Sequence, residues 1–109
     1  MAYDSKLASR VRLGLRGTRG LTEMESFGGI GFLVRGNMAC GVIGPDLLVR
    51  VGPAAHEEAM QAKGTKPFVI GGRASKGWVL VEPASVRTPA ALQRWVARGV
   101  EFARSLPAK

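Results

Sequence analysis

The chain has 109 residues, enough for one modest hydrophobic core and too few for two, so a single domain over 1–109 is expected. A hydrophobic share of 46% with a charged share of 22% is that of an ordinary globular protein and excludes an extensively disordered chain. Sixteen Lys and Arg against eight Asp and Glu leave a net charge of +8, a field that attracts phosphate backbones and acidic surfaces and that salt weakens. No apolar run reaches the ~18 residues of a membrane span, and the Arg-rich opening lacks the order of a signal peptide. With one cysteine no internal disulfide can form. These features predict a cytoplasmic protein with no membrane partner.

The first predicted element is a helix over 4–17. Asp4 is a suitable N-cap, and Leu7, Val11 and Leu15 recur every four residues, with Ala8 widening the stripe. Lys6 and Arg10 fall on one flank, and Arg12, Arg16 and Arg19 on the other. Between 22 and 51, apolar strand formers are cut at short intervals by Gly, Asn, Pro and Asp, the pattern of an antiparallel meander. A first strand is expected over 22–34, interrupted at Gly28-Gly29, a second over 37–43 and a third over 46–51. Hairpin turns fall at Arg35-Gly36-Asn37 and Gly44-Pro45-Asp46. In the third strand Leu47, Val49 and Val51 alternate with Leu48 and Arg50, which predicts one wetter face.

Pro53 and the stop at Gly64 frame a short helix over 53–63. Strands follow at 67–71 and 77–82, joined by a polar, flexible connection over 71–77. The last helix is capped by Thr88, has Pro89 in its first turn and carries Leu92, Trp95, Val96, Gly99, Val100 and Ala103 on one face; Pro107 ends it. The order α-β-β-β-α-β-β-α predicts an α+β fold with two layers, helices against one face of an antiparallel sheet.

Several segments taken together resemble the N-terminal domain of the TfoX/Sxy family, bacterial regulators associated with natural competence. They are Phe27-Gly28-Gly29-Ile30-Gly31, Gly36-Asn37-Met38-Ala39, Leu47-Leu48-Val49-Arg50-Val51, Gly64-x-x-Pro67-Phe68, Trp78-Val79 and Leu92-x-x-Trp95-Val96. The resemblance covers nearly the whole chain. It implies a fold similar to secretion-chaperone domains and no known catalysis. Longer relatives carry a helical C-terminal domain, and this chain looks like the stand-alone N-terminal type. It departs from the pattern at Ser26, where the family commonly has Met, and at Ala39, where an aromatic residue is common.

Candidate chemistry is sparse. Gly28-Gly29-Ile30-Gly31 lacks the G-x-G-x-x-G spacing between a strand and a helix, so a bend or bulge explains it better than a phosphate cradle. Phe27 then becomes an aromatic anchor beside that bend. Gly28, Gly29, Gly31, Gly36, Pro67, Phe68 and Trp95 are read as structural family positions. His56 is expected on the exposed face of the short helix, and a metal site joining it to Cys40, Glu57 or Asp46 has no ligand spacing to support it. Cys40 lies in an apolar strand, where burial makes a thiol inert. Glu23 and Glu25 share one strand face, Trp95 belongs to the core, and Trp78 is compatible with either face.

The first reading is therefore a non-enzymatic interaction module, without cofactor or metal, that binds another protein or forms a homodimer. The second is a nucleic-acid-binding accessory regulator using Arg12, Arg16 and Arg19, although charge complementarity to a helix C-terminus also explains these arginines. A small-ligand protein or enzyme built on the Gly28–Gly31 bend ranks last.

Overall fold

In the computed structural model, which describes residues 3–26 and 28–109, the apolar helix stripe and the strand runs close on each other in two layers. Helix α1 is Ser5–Gly14, and the Asp4 carboxylate accepts from the backbone N–H groups of Lys6 and Leu7 at 2.9 and 3.2 Å. It ends before the expected residue 17. Leu15 and Arg16 close the last turn through tighter bonds to Arg12 and Leu13, and Gly17 adopts φ 85°.

The segment expected as one interrupted strand is a hairpin of two. β1, Leu21–Ser26, pairs antiparallel with β2, Gly29–Val34, so that Leu21 faces Val34 and Ser26 faces Gly29. Gly28 has φ 76°, which places the reversal where only a bend was expected. Phe27, and the anchor role assigned to it, lies outside the described residues. β3, Asn37–Ile43, follows through Arg35 and Gly36, whose φ values of 53° and 82° form the primed turn that matches strand twist. β4 is Asp46–Arg50.

Pro53–Ala55 is a 3-10 turn leading into α2, His56–Met60, shorter than the helix expected over 53–63. β5 is Thr65–Ile70 and β6 is Arg73–Val81. The polar connection expected over 71–77 is mostly strand, because Gly71 and Gly72, both at positive φ, turn the chain in two residues. α3, Pro89–Ser105, starts at Thr88, whose hydroxyl accepts from the Ala91 N–H at 3.1 Å.

Among the described residues the six strands form one antiparallel sheet in the order β1-β2-β3-β4-β6-β5. Ile30, Phe32, Cys40, Val42, Leu47, Val49, Val79 and Val81 point to one face and meet Leu7, Val11 and Leu15 on the α1 side, Ala59 of α2, and Leu92, Trp95 and Val96 of α3. The α+β architecture is the one expected, with one strand more.

α3 sits unusually close to the sheet. Between Phe32 and Leu33 the β2–β3 register shifts, since Phe32 faces Cys40 and Leu33 faces Met38, leaving Ala39 as a bulge. A Cβ at Gly99 would run into the Ala39 carbonyl, so glycine is what lets α3 rest on the bulged backbone. Gly99→Ala is therefore expected to lower stability by about 2–3 kcal/mol, an overpacking effect, and the melting temperature by roughly 10 °C or more. Thermal unfolding followed by circular dichroism checks this, and an unchanged midpoint contradicts the contact.

Candidate interaction surface

Side chains alternate along a strand, so the residues between the core positions define the opposite face of the sheet. One row crosses all six strands: Met24, Gly31, Gly41, Leu48, Leu80 and Lys66, each directly opposite the next. Leu33, Met38 and Trp78 lie further along the same face. The helices pack into the cluster on the other side, and the Phe102 ring of α3 reaches the Arg50 guanidinium on this one. Leu48 is only 4% exposed, while Met24 at the edge is 47% exposed. The expectation that Leu48 marks a wet face is thus corrected: the face is apolar.

Charge on it is neutralised or stacked. The Lys66 ammonium reaches across β6 to the Asp46 carboxylate at 3.0 Å. The Arg50 guanidinium lies over the Trp78 ring at 4.9 Å and the Phe102 ring at 5.3 Å, contacts that spread its charge over aromatic faces. Trp78 also meets Phe68, ring centres 6.2 Å apart. That resolves the open question of its side.

The family glycines hold this geometry. A Cβ at Gly29 would lie 2.8 Å from the Val42 carbonyl oxygen, and one at Gly41 2.5 Å from that of Ile30, so both allow β2 and β3 to approach closely. A Cβ at Gly31 would meet the flexible end of Met38 at 2.6 Å. The cluster lies within a strand pair and opens no helix, so it lacks the N-terminal amides that hold a phosphate. Gly36 forms its turn against Lys109, Pro67 sits in edge strand β5, and Trp95 is buried on α3 with the Arg98 guanidinium 4.9 Å above it.

The arginine trio is not one free surface. Arg12 donates two hydrogen bonds to the Glu23 carboxylate, at 2.6 and 2.9 Å, while Arg16 and Arg19 are exposed. Arg10, from the other flank, donates to the carbonyls of Val86 and Arg87 at 2.7 and 3.0 Å. Its bonds tie α1 to the turn before α3. The bond from Arg12 holds the Glu23 carboxyl below its ordinary range, against a smaller upward push from burial.

His56 is not on an open face. It is half-buried, and its Nδ1 accepts from the Gly77 N–H at 2.9 Å, which fixes the ring proton on Nε2 and steadies β6 at its glycine bend. Cys40 is in the core, and burial pushes its thiol up to about 12. Among the described residues no group of three His, Cys, Asp or Glu could hold a metal ion. Two open depressions flank α3, one against Gly14 and Leu15 and one beside Val51 and Phe102; neither is lined by His56 or Cys40.

The geometry defines a two-layer α+β domain with its helices against one face of a six-stranded antiparallel sheet. The model for the TfoX N-terminal domain matches residues 14–103, and the chain belongs to that family. No curated protein and no solved structure matches it. The matched segment covers all six strands and α3 as far as Ala103.

Reading the sequence for reactive side chains missed Leu48, Leu80 and the Asp46–Lys66 pair. A signal was present: Leu47-Leu48-Val49 and Trp78-Val79-Leu80-Val81 are unbroken apolar runs, whereas a strand with one wet face alternates.

The Arg12–Glu23 pair yields a pH test. Because Glu23 titrates lower in the folded chain, its contribution is present above the unfolded carboxyl pKa and is lost as pH falls through the folded one. Both side chains are well exposed, so Glu23→Gln should cost less than ~1 kcal/mol at neutral pH. Urea unfolding of the two proteins should converge on acidification; a gap that persists at low pH contradicts the pairing.

Proposed function

We propose that this TfoX N-terminal domain is a non-enzymatic, cytoplasmic interaction module of the competence-regulator type, working through contacts between proteins. The observation that carries the reading is the outer sheet face: apolar across its centre, with Asp46 and Lys66 paired and Arg50 stacked. An apolar face whose charges are paired or stacked favours a protein surface over a polyanion, since burying it removes apolar area from water. No helix among the described residues is long and apolar enough to cross a membrane, which agrees with a module that meets its partners in solution.

Nucleic-acid binding is the second reading, supported by the net charge of +8 and by exposed Arg16 and Arg19. Arg12 contributes less to it, being held by Glu23. The two readings separate by mutation. Leu80→Arg and Met24→Arg, each with an unchanged circular dichroism spectrum, should abolish retention of a specific protein partner on the immobilised chain. The pair Arg16→Ala with Arg19→Ala should leave it intact. The opposite pattern, with affinity for DNA or RNA that falls steeply as salt rises, supports the nucleic-acid reading and overturns the first.

A further inference from the structure

The sheet ends unevenly. β4 pairs with β6 from Leu47 opposite Val81 to Arg50 opposite Trp78, and the Val51 and Gly52 N–H groups then donate to the Gly77 carbonyl at 2.8 and 3.0 Å. From Arg73 to Lys76, β6 has β5 beside it and no described strand on its other side. The result is a two-stranded ribbon roughly 13 Å long, at ~3.3 Å per residue, closed by Gly71 and Gly72.

Its side chains are sorted. From Pro67 to Gly72 the chain carries no polar side chain. Phe68 is half-buried and packs on Trp78, but Val69 and Ile70 are 52% and 60% exposed. They are adjacent in the chain, whereas Leu13 and Met24, the other large apolar side chains left in solvent among the described residues, stand apart. Arg73 and Lys76 follow the turn, both exposed and neither in an ion pair among the described residues. Lys66, further back on β5, is already held by Asp46. No Asp or Glu occurs between Glu58 and Glu82, so the ribbon has no acid of its own.

We propose that this ribbon docks on the anionic surface of a lipid bilayer. Val69 and Ile70 enter the boundary between headgroups and acyl chains, while Arg73 and Lys76 lie among the headgroup phosphates. Two attractions combine there, since apolar side chains leave water and cations meet a negative surface potential. Two aliphatic side chains and two cations make a shallow, reversible contact. The net charge of +8 adds long-range attraction to the same surface.

Nucleic acid fits the ribbon less well. A groove is walled by phosphates on both sides, whereas the two unpaired cations of the ribbon both lie on β6, and β5 beside them is apolar. The rings nearest the tip, Phe68 and Trp78, pack on each other and on Arg50, so neither stands free to stack on bases. The proposal goes beyond the protein-contact reading and uses another part of the sheet. The expectation of no membrane partner rests on the lack of a spanning segment, and a contact with the surface needs none.

The full chain is mixed with vesicles of phosphatidylcholine alone, or of phosphatidylcholine with an equal share of phosphatidylglycerol, and bound protein is measured by co-sedimentation. Binding is expected to the anionic vesicles only, and it should weaken as salt rises. Val69→Ser with Ile70→Ser, and separately Arg73→Gln with Lys76→Gln, should each lower partitioning at least about tenfold with the circular dichroism spectrum unchanged. Arg16→Ala with Arg19→Ala should lower it less. Because Cys40 is buried, a cysteine placed at Ile70 can be labelled alone. An environment-sensitive dye on Ile70→Cys should shift to the blue on anionic vesicles and be quenched by brominated acyl chains. The same dye on Leu13→Cys, exposed on α1, should stay in water.

Vesicle binding that depends on Arg16 and Arg19, with the tip label unmoved, overturns the assignment to this ribbon. Duplex DNA bound more tightly than the vesicles, with Val69→Ser and Ile70→Ser affecting neither, overturns the lipid partner in favour of a polyanion. No binding to anionic vesicles at low salt overturns the proposal outright. The protein-contact reading, tested on the outer face by Leu80→Arg, stands or falls separately.

Discussion

The contact between Gly99 and the bulged carbonyl of Ala39 fixes the relation of the two layers. α3 is the longest helix, and it reaches the centre of the sheet only because its closest residue has no side chain. The bulge supplies the other half of the fit by turning extra backbone toward the helix. With α3 seated there, Trp95 and Val96 enter the core, and Ala103 meets Val34 and Ala39 in a satellite cluster. Helix and sheet are thus matched by subtraction of side chains as much as by their packing.

That arrangement commits all three helices to one face, and the other face follows as a consequence. The strands at the centre of the sheet cannot tell from local chemistry which of their faces is covered, so both have to be compatible with burial. β4 and β6 meet this with leucines on the outer side, β2 and β3 with glycines. Several cations are already engaged, Arg12 with Glu23, Arg98 with Glu58 and Lys66 with Asp46, and Arg10 with two backbone carbonyls. A high formal charge and a specific polyanion site are different things, and here the ion pairs show why.

Much of the fold was legible because local chemistry decides it. Asp4 and Thr88 are caps whose short oxygens reach the first-turn amides, and β3 begins and ends where its apolar run does. Errors arose where one local signal has two geometric outcomes. A glycine pair inside an apolar run can bend a strand or reverse it, and only the pairing of Leu21 with Val34 decides between them. Gly71-Gly72 likewise looked like the start of a flexible loop, but two glycines at positive φ suffice for a turn and the polar residues after them become strand. His56 has no sequence signal for its role, since its partner is a backbone N–H brought close by a bend twenty-one residues away. The outer sheet face was the least legible feature, because it is a property of six strands in register and no single segment contains it.

The residues after α3 are held where they lie. Pro107 offers its carbonyl to the Asn37 side chain at 2.9 Å, and the Lys109 N–H donates to the Arg35 carbonyl at 2.8 Å. Asn37 is itself buried, so this strap binds the end of the longest helix to the β2–β3 hairpin. A helix usually frays from its ends, but here fraying requires a buried amide to give up its partner. The β5–β6 tip has no such fastening; Val69 and Ile70 are exposed and its turn is two glycines. Local opening of the native state thus has a direction, from the β5–β6 tip inward, and the strapped hairpin is among the last parts to come undone.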